Sequence, residues 1–194
     1  MKEHLVLSIL WIVYFAIHSL LATNSVKEKL SFLKRYYRLF YNIVSVTGLF
    51  AILLYSAIVP ADWIFPKTTF SKFIGLMLAT YGVFIIRHAF KSYNMKDFLG
   101  LQQLEENYKT EKFKKDGVLA YVRHPLYLGT ILIVAGFFVY SPNTANLITA
   151  VLSILYLFVG IWLEEKKLLA MYGDEYKKYQ KNTPMLIPKK IKLF

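Results

Sequence analysis

Five apolar stretches constrain any fold this chain can adopt. Four of them are 5–22 (LVLSILWIVYFAIHSLLA), 39–59 (LFYNIVSVTGLFAILLYSAIV), 73–90 (FIGLMLATYGVFIIRHAF) and 144–163 (TANLITAVLSILYLFVGIWL). Each comes close to or exceeds the roughly 20 helical residues that cross a hydrocarbon core of about 30 Å. The fifth, 126–140 (LYLGTILIVAGFFVY), is shorter and ends at Ser141-Pro142-Asn143. That turn makes it one arm of a tight hairpin with 144–163. Hydrophobic residues make up 56% of the 194, and aromatics 17%, both high for a water-soluble globule. The expected fold is all-α: a polytopic membrane protein of five transmembrane helices in a single domain, 1–194.

A net charge of +12 raises the question of nucleic acid, and the placement of the cations answers it. Residues 23–38 carry five (Lys27, Lys29, Lys34, Arg35, Arg38), 91–125 carry seven, and the tail from 164 carries eight. The alternate connections hold only Lys2, Lys67 and Lys72, and Arg87 lies inside the third apolar run. Basic loops stay on the cytoplasmic side, so the expected topology is N-terminus out and C-terminus in. Anionic headgroups then account for the charge, and the partner is the lipid bilayer rather than nucleic acid. The first run is followed by five cations and preceded by one, which reads as a retained anchor rather than a cleaved leader. The chain has no cysteine, which removes disulfides, thiolate nucleophiles and cysteine-held zinc.

This topology places the polar residues at one depth. His18 ends the first span, Tyr41 and Asn42 open the second, Arg87 and His88 close the third, Arg123 and His124 precede the fourth, and Glu164 and Glu165 close the fifth. All of them fall at the inner leaflet. Counting from the hairpin turn, His124 is 18 residues back from Pro142 and Glu164 is 21 on from Asn143. A three-residue mismatch is about 4.5 Å of helix rise, so the basic and acidic pairs end nearly level. Single charges at helix ends snorkel routinely, but a set of ionisable groups gathered at one depth points to an interior or a cavity.

The stretch YVRHPLYLGT (121–130) begins the fourth helix. Pro125 suits a first helical turn, and it pushes His124 out of the helical region, so the chain turns there. The helix start brings free N–H groups and a positive dipole end beside Arg123 and His124, a setting for a carboxylate or another anion. Gly129, one turn in, allows close approach of backbone or ligand. Glu164 and Glu165 are adjacent and cannot share one helix face, so one points inward while the other meets Lys166 or Lys167. Two arrangements are open. Either the ends form a pocket for a zwitterion, or Arg123 pairs directly with Glu164 or Glu165.

GVLAYVRHPLYLG (117–129) followed by LEEKKLLAMYGDEYKKYQKNTPMLIP (163–188) resembles the signature of the membrane methyltransferase superfamily. That superfamily includes isoprenylcysteine carboxyl methyltransferases and phospholipid N-methyltransferases. Its pattern is Gly-x-Tyr-x-x-x-Arg-His-Pro-x-Tyr-x-Gly, then a Glu-Glu pair closing the next span, then a Gly-x-x-Tyr-x-x-Tyr tail ending in Pro. FLGLQQL (98–104) and PMLIP (184–188) are most similar to bacterial methanethiol S-methyltransferases, and HSLLA (18–22) and YYRLFYN (36–42) resemble those and NnrU-like membrane proteins. One local departure is Leu119, standing where the family usually has Tyr, with Tyr121 two residues on.

The resemblance implies S-adenosylmethionine as cofactor, bound by Tyr121, Arg123, His124, Pro125, Tyr127, Gly129, Glu164 and Glu165. It implies an acceptor that is a small thiol or a lipid-like molecule, a cofactor-binding part at 91–194 and an acceptor-side part of three helices at 1–90. The setting would be a bacterial or archaeal inner membrane with the active site facing the cytoplasm. A thiol acceptor reacts as thiolate, and His18 and His88 are the bases at suitable depth. No metal is expected. Two other classes share part of the resemblance: the much longer sterol reductases, which hold a nicotinamide cofactor in this region, and non-catalytic NnrU-like proteins. The 91–125 connection, at 35 residues, is long for a linker. Tyr93, Phe98, Leu99, Leu101 and Leu104 suggest an interfacial helix roofing the pocket. Beyond Glu165, Leu168, Leu169, Tyr172, Tyr176 and Tyr179 recur at helical spacing, and Gly173 is expected to break this tail into two short cytosolic interfacial helices.

Overall fold

A computed structural model describes residues 2–60, 62–93, 96, 99, 101 and 113–188. Six α-helices are present among them: α1 (Lys2–Leu21), α2 (Asn24–Lys29), α3 (Tyr37–Ile58), α4 (Thr69–Ser92), α5 (Pro125–Tyr140) and α6 (Thr144–Asn182), with 3-10 turns at Ser31–Tyr36 and Gly117–Ala120. The described residues contain no β-strand, only an isolated bridge between Trp63 and Asn143. Four helical segments are long and apolar enough to cross a membrane; α5 is apolar but shorter, at 16 residues. Large side chains such as Leu5, Ile12, Phe50, Leu54, Phe73 and Leu155 stand exposed along these helices. In water such a surface would drive aggregation; in a bilayer it is the lipid-facing side. This is an integral membrane protein.

Helix ends are fixed by local chemistry. Thr68 and Ser71 form a reciprocal capping box at the start of α4, Ser71 N–H donating to Thr68 Oγ1 at 3.0 Å and Thr68 N–H to Ser71 Oγ at 3.1 Å. Asn143 caps α6 by accepting from the Asn146 N–H at 2.9 Å, and Pro125 occupies the first turn of α5.

The described residues divide into two compact units. The first gathers residues 2–60, 62–64, 96, 99, 101 and 143–152. Its core is Leu7, Trp11, Ile52, Val59 and Ala145, and the Trp11 indole N–H donates to Thr149 Oγ1 at 3.1 Å. The second gathers residues 65–93, 113–142 and 153–188. Here α4 and α5 lie backbone to backbone along a glycine seam. A Cβ on Gly82 would stand 2.5 Å from the Gly129 carbonyl oxygen, and one on Gly75 would stand 2.6 Å from that of Gly136. Small residues at matched seven-residue spacing let two membrane helices approach this closely.

The structure differs from the sequence reading at α6. The helix was expected to close at the Glu pair, with separate short helices beyond it. Instead it runs on through Glu164-Glu165 to the expected break at Gly173, at φ +52° and ψ −124°, and a second helical piece continues to Asn182. The segment EEKKLLAM is made of good helix formers, so nothing ends the helix before the glycine. Of the expected interfacial helix, Phe98 and Leu104 lie outside the described residues; the Leu99 carbonyl accepts from the Asn42 side chain at 2.9 Å in the first unit.

Candidate active site

Within the second unit, Gly173 lets the last part of α6 fold back toward the start of α5. At positive φ with this ψ, an L side chain is strained, whereas glycine is not. The turn brings Tyr176, Tyr179 and Gln180 to face Arg123 and Glu165. Tyr176 is fully buried, and Tyr179 is nearly so. The Tyr179 hydroxyl donates to the Leu119 carbonyl at 2.6 Å, tying the tail to the Gly117–Ala120 turn.

Arg123 is the centre of this arrangement. Its Nε donates to Glu165 Oε1 at 2.7 Å, and one terminal nitrogen donates to the carbonyls of Gln180 (3.1 Å) and Thr183 (2.6 Å). The backbone follows suit: Arg123 N–H donates to the Pro184 carbonyl at 2.9 Å and His124 N–H to that of Met185 at 3.1 Å. Of the two arrangements left open by sequence, the direct pair of Arg123 with Glu165 forms, and Arg123 and Glu164 also line a cleft. The backbone N–H groups of Arg123 and His124 thus go to the chain's own tail.

His124 is buried and hydrogen bonds Glu165 Oε1 through Nε2 at 3.0 Å, while its Nδ1 lies 3.8 Å from Glu164. Pro125 is fully buried at the helix start. Tyr127 packs edge-on to His124 and lies over Gly160 of α6, where a Cβ would come within 3.2 Å of its ring. The Glu165 carboxyl stands two residues past the apolar stretch. Burial would raise its pKa, but the hydrogen bonds from His124 and Arg123 outweigh this and hold it below the usual carboxylate range.

A cleft of about 200 Å³ opens beside this network. Arg123, Lys114 and Glu164 supply its charges, and Tyr93, Phe113, Tyr172, Tyr176 and Tyr179 its aromatic walls, with Leu119 and Leu168 filling between them. The rings are mutually packed: Phe113 lies 4.8 Å from Tyr172, 5.7 Å from Tyr176 and 5.3 Å from Tyr179, centre to centre. Burial pushes the Tyr179 phenol up to about 12. The phenols of Tyr93 and Tyr176 are raised by burial first and then by the negative charge of Glu164 and Glu165 respectively. These hydroxyls therefore remain donors at any neutral pH.

Among the residues expected from sequence, Arg123, His124, Glu164 and Glu165 come together in one cluster. Arg123 and Glu164 line the cleft. Pro125 and Tyr127 support the helix start, Tyr121 ends the Gly117–Ala120 turn, and Gly129 is engaged with Gly82 of α4. His18 lies in the first unit, its Nε2 2.8 Å from the Tyr41 hydroxyl. His88 lies in the second, its ring 4.6 Å from that of Phe84 and not among the cleft-lining residues. Tyr93, expected in the segment roofing the pocket, does line the cleft, whereas sequence reasoning missed Phe113 and Lys114, for which there was no signal beyond residue type. It also missed Gln180, Thr183 and Met185, whose only signal was their place in the tail motif.

Residues 6–191 match the family model described as NnrU protein. The chain is 36% identical over 122 residues to a methanethiol S-methyltransferase of Crocosphaera subtropica, covering 59% of this chain and 44% of that protein. It is 35% identical over 123 residues to methanethiol S-methyltransferase 1 of Bradyrhizobium diazoefficiens (60% and 40%). It is 35% identical over 81 residues to a protein-S-isoprenylcysteine O-methyltransferase of Schizosaccharomyces pombe (38% and 31%). The chain thus spans less than half the length of these curated relatives. No solved structure matches it.

Proposed function

This chain belongs to the NnrU protein family, and on that footing we propose that it is a membrane methyltransferase drawing its methyl group from S-adenosylmethionine. The observation that carries the reading is the cleft, where cations, a carboxylate and mutually packed aromatic rings meet within about 200 Å³. When bound, the cofactor supplies an electrophilic methyl group on a sulfonium. The donor set suits it. Lys114 and Arg123 provide positive potential for its carboxylate, although the Arg123 hydrogen bonds go largely to Glu165 and the tail. Glu164 suits its ammonium or its ribose hydroxyls. The faces of Phe113 and Tyr172 offer stacking area for a flat base, and aromatic walls favour a cation near them. The protein's part is mostly positioning, which is where displacement at a methyl carbon gains most.

We take the acceptor to be a small thiol such as methanethiol, in line with the named relatives. An isoprenylated cysteine carboxylate or a phospholipid amine is the alternative, favoured by the resemblance to the yeast enzyme. His18 and His88 are retained as the groups that would take a thiol proton. The five-span topology, with the cleft facing the cytoplasm of an inner membrane, belongs to the same reading, since a polar donor enters from the cytosol. Calorimetric titration of the detergent-purified protein with S-adenosylhomocysteine and with NADPH tests it. Micromolar binding of the first and none of the second is expected. Binding of NADPH alone would make the protein a reductase, and binding of neither would leave a non-catalytic family member.

A further inference from the structure

Glu164 and Glu165 are neighbours in sequence and meet different chemistry. Glu164 has a side chain 40% exposed, lines the cleft, and lies 3.8 Å from His124 Nδ1. Glu165 is 18% exposed and is not among the cleft-lining residues. Both of its oxygens are engaged by the protein. Oε1 accepts from Arg123 Nε at 2.7 Å, His124 Nε2 at 3.0 Å and the Tyr176 hydroxyl at 3.4 Å, and Oε2 accepts from Gln180 Nε2 at 3.1 Å. Two of these donors come from the start of α5 and two from the part of α6 beyond Gly173. One carboxylate therefore ties the folded-back tail to the helix start. Tyr176, which it holds, is itself a wall of the cleft.

We infer that the two acids divide the work of the site: Glu164 is the carboxylate that meets the bound molecule, and Glu165 is a positioning residue that keeps Arg123 and the Tyr176 wall in place. The physical reason is coordination. Three protein donors converge on Glu165 Oε1 and one holds Oε2, so the carboxylate is committed to the protein, whereas Glu164 is partly exposed and lines the cleft. The assignment of ligand contact to Glu164 rests on reading the cleft as the methyl-donor site; the positioning role of Glu165 does not.

The test compares Glu165→Ala, Glu165→Gln and Glu164→Gln in the full-length protein. Amide hydrogen exchange over residues 176–185 is measured without ligand, and affinity for S-adenosylhomocysteine is measured by calorimetry. Glu165→Ala should speed exchange in that segment by about tenfold or more and weaken binding in step. Glu165→Gln keeps the shape and an accepting oxygen, so it should recover part of both. Glu164→Gln should leave exchange at the wild-type rate while weakening binding about tenfold, the range of one lost charged hydrogen bond. A Glu165→Gln protein that keeps full protection yet loses as much affinity as the Ala variant would overturn the division, because that pattern marks direct contact. So would wild-type protection in Glu165→Ala. Should the wild-type protein fail to bind S-adenosylhomocysteine, the donor reading falls, and the exchange experiment alone still judges the positioning role. If Glu165→Ala does not fold, Gln180→Ala removes the Oε2 contact alone and should loosen the same segment; unchanged exchange there would count against the proposal.

Discussion

Tyr179 and Gly173 show how much a single side chain, or the lack of one, contributes here. The Tyr179 hydroxyl reaches the Leu119 carbonyl at 2.6 Å from a nearly buried position, so Tyr179→Phe leaves a buried acceptor without that donor. The expected cost is about 1 kcal/mol, read as a lower melting temperature in detergent, with weaker donor binding because Leu119 lines the cleft. Gly173 has space around it: a Cβ there would meet nothing within 4 Å. Its constraint is conformational, since φ +52° with ψ −124° strains an L side chain and costs glycine little. Gly173→Ala should therefore cost about 1–3 kcal/mol through backbone strain. The variant relieves that strain by straightening α6, which would carry Tyr176 and Tyr179 off the cleft. Loss of S-adenosylhomocysteine binding by a protein that remains helical by circular dichroism is the expected result, and wild-type affinity would show that the fold-back is dispensable.

Among the elements, the α4–α5 pair depends on its glycines. A Cβ on Gly82 would stand 2.5 Å from a backbone oxygen and 2.9 Å from Ile133 Cγ1, so even alanine forces the helices apart. Gly82→Ala should destabilise the protein by about 1–3 kcal/mol, seen as a lower thermal midpoint in detergent. The same change at Gly48 faces only the flexible edge of the Tyr14 ring at 3.0 Å and should cost less. A larger loss at Gly48 than at Gly82 would contradict the seam. Helix α6 carries the other lesson of this kind. Its apolar part matches the stretch read from sequence, but its length does not, because propensity beyond Glu165 carries the helix on until Gly173 interrupts it.

For the molecule as a whole, the open quantity is the number of membrane crossings. At about 1.5 Å per residue, the 16 residues of α5 reach roughly 24 Å, short of a full hydrocarbon core. Lys72 opens α4 and Lys181 closes α6, and both are exposed. Three crossings between them put these positions on opposite sides; two would put them on the same side. The natural chain has no cysteine, so single Lys72→Cys and Lys181→Cys variants report without background. A membrane-impermeant maleimide should label position 72 in intact spheroplasts and position 181 only after lysis. Labelling of both in intact spheroplasts would mean that α5 does not cross.

The all-helical fold, the long apolar helices and the family were readable in advance, because lipid imposes a composition on every segment that enters it and the Arg-His-Pro and Glu-Glu motifs have fixed spacing. Arg123, His124, Glu164 and Glu165 could be picked out by type for the same reason. Their division of labour could not. Arg123 meets Glu165 across 42 residues of chain and Thr183 across 60, and which acid turns toward the cleft follows from the angle at which α6 doubles back at Gly173. Periodicity and charge fix what a segment is made of and where it can lie; the donors that an arginine finally engages depend on packing between segments far apart in the chain, which local pattern does not encode.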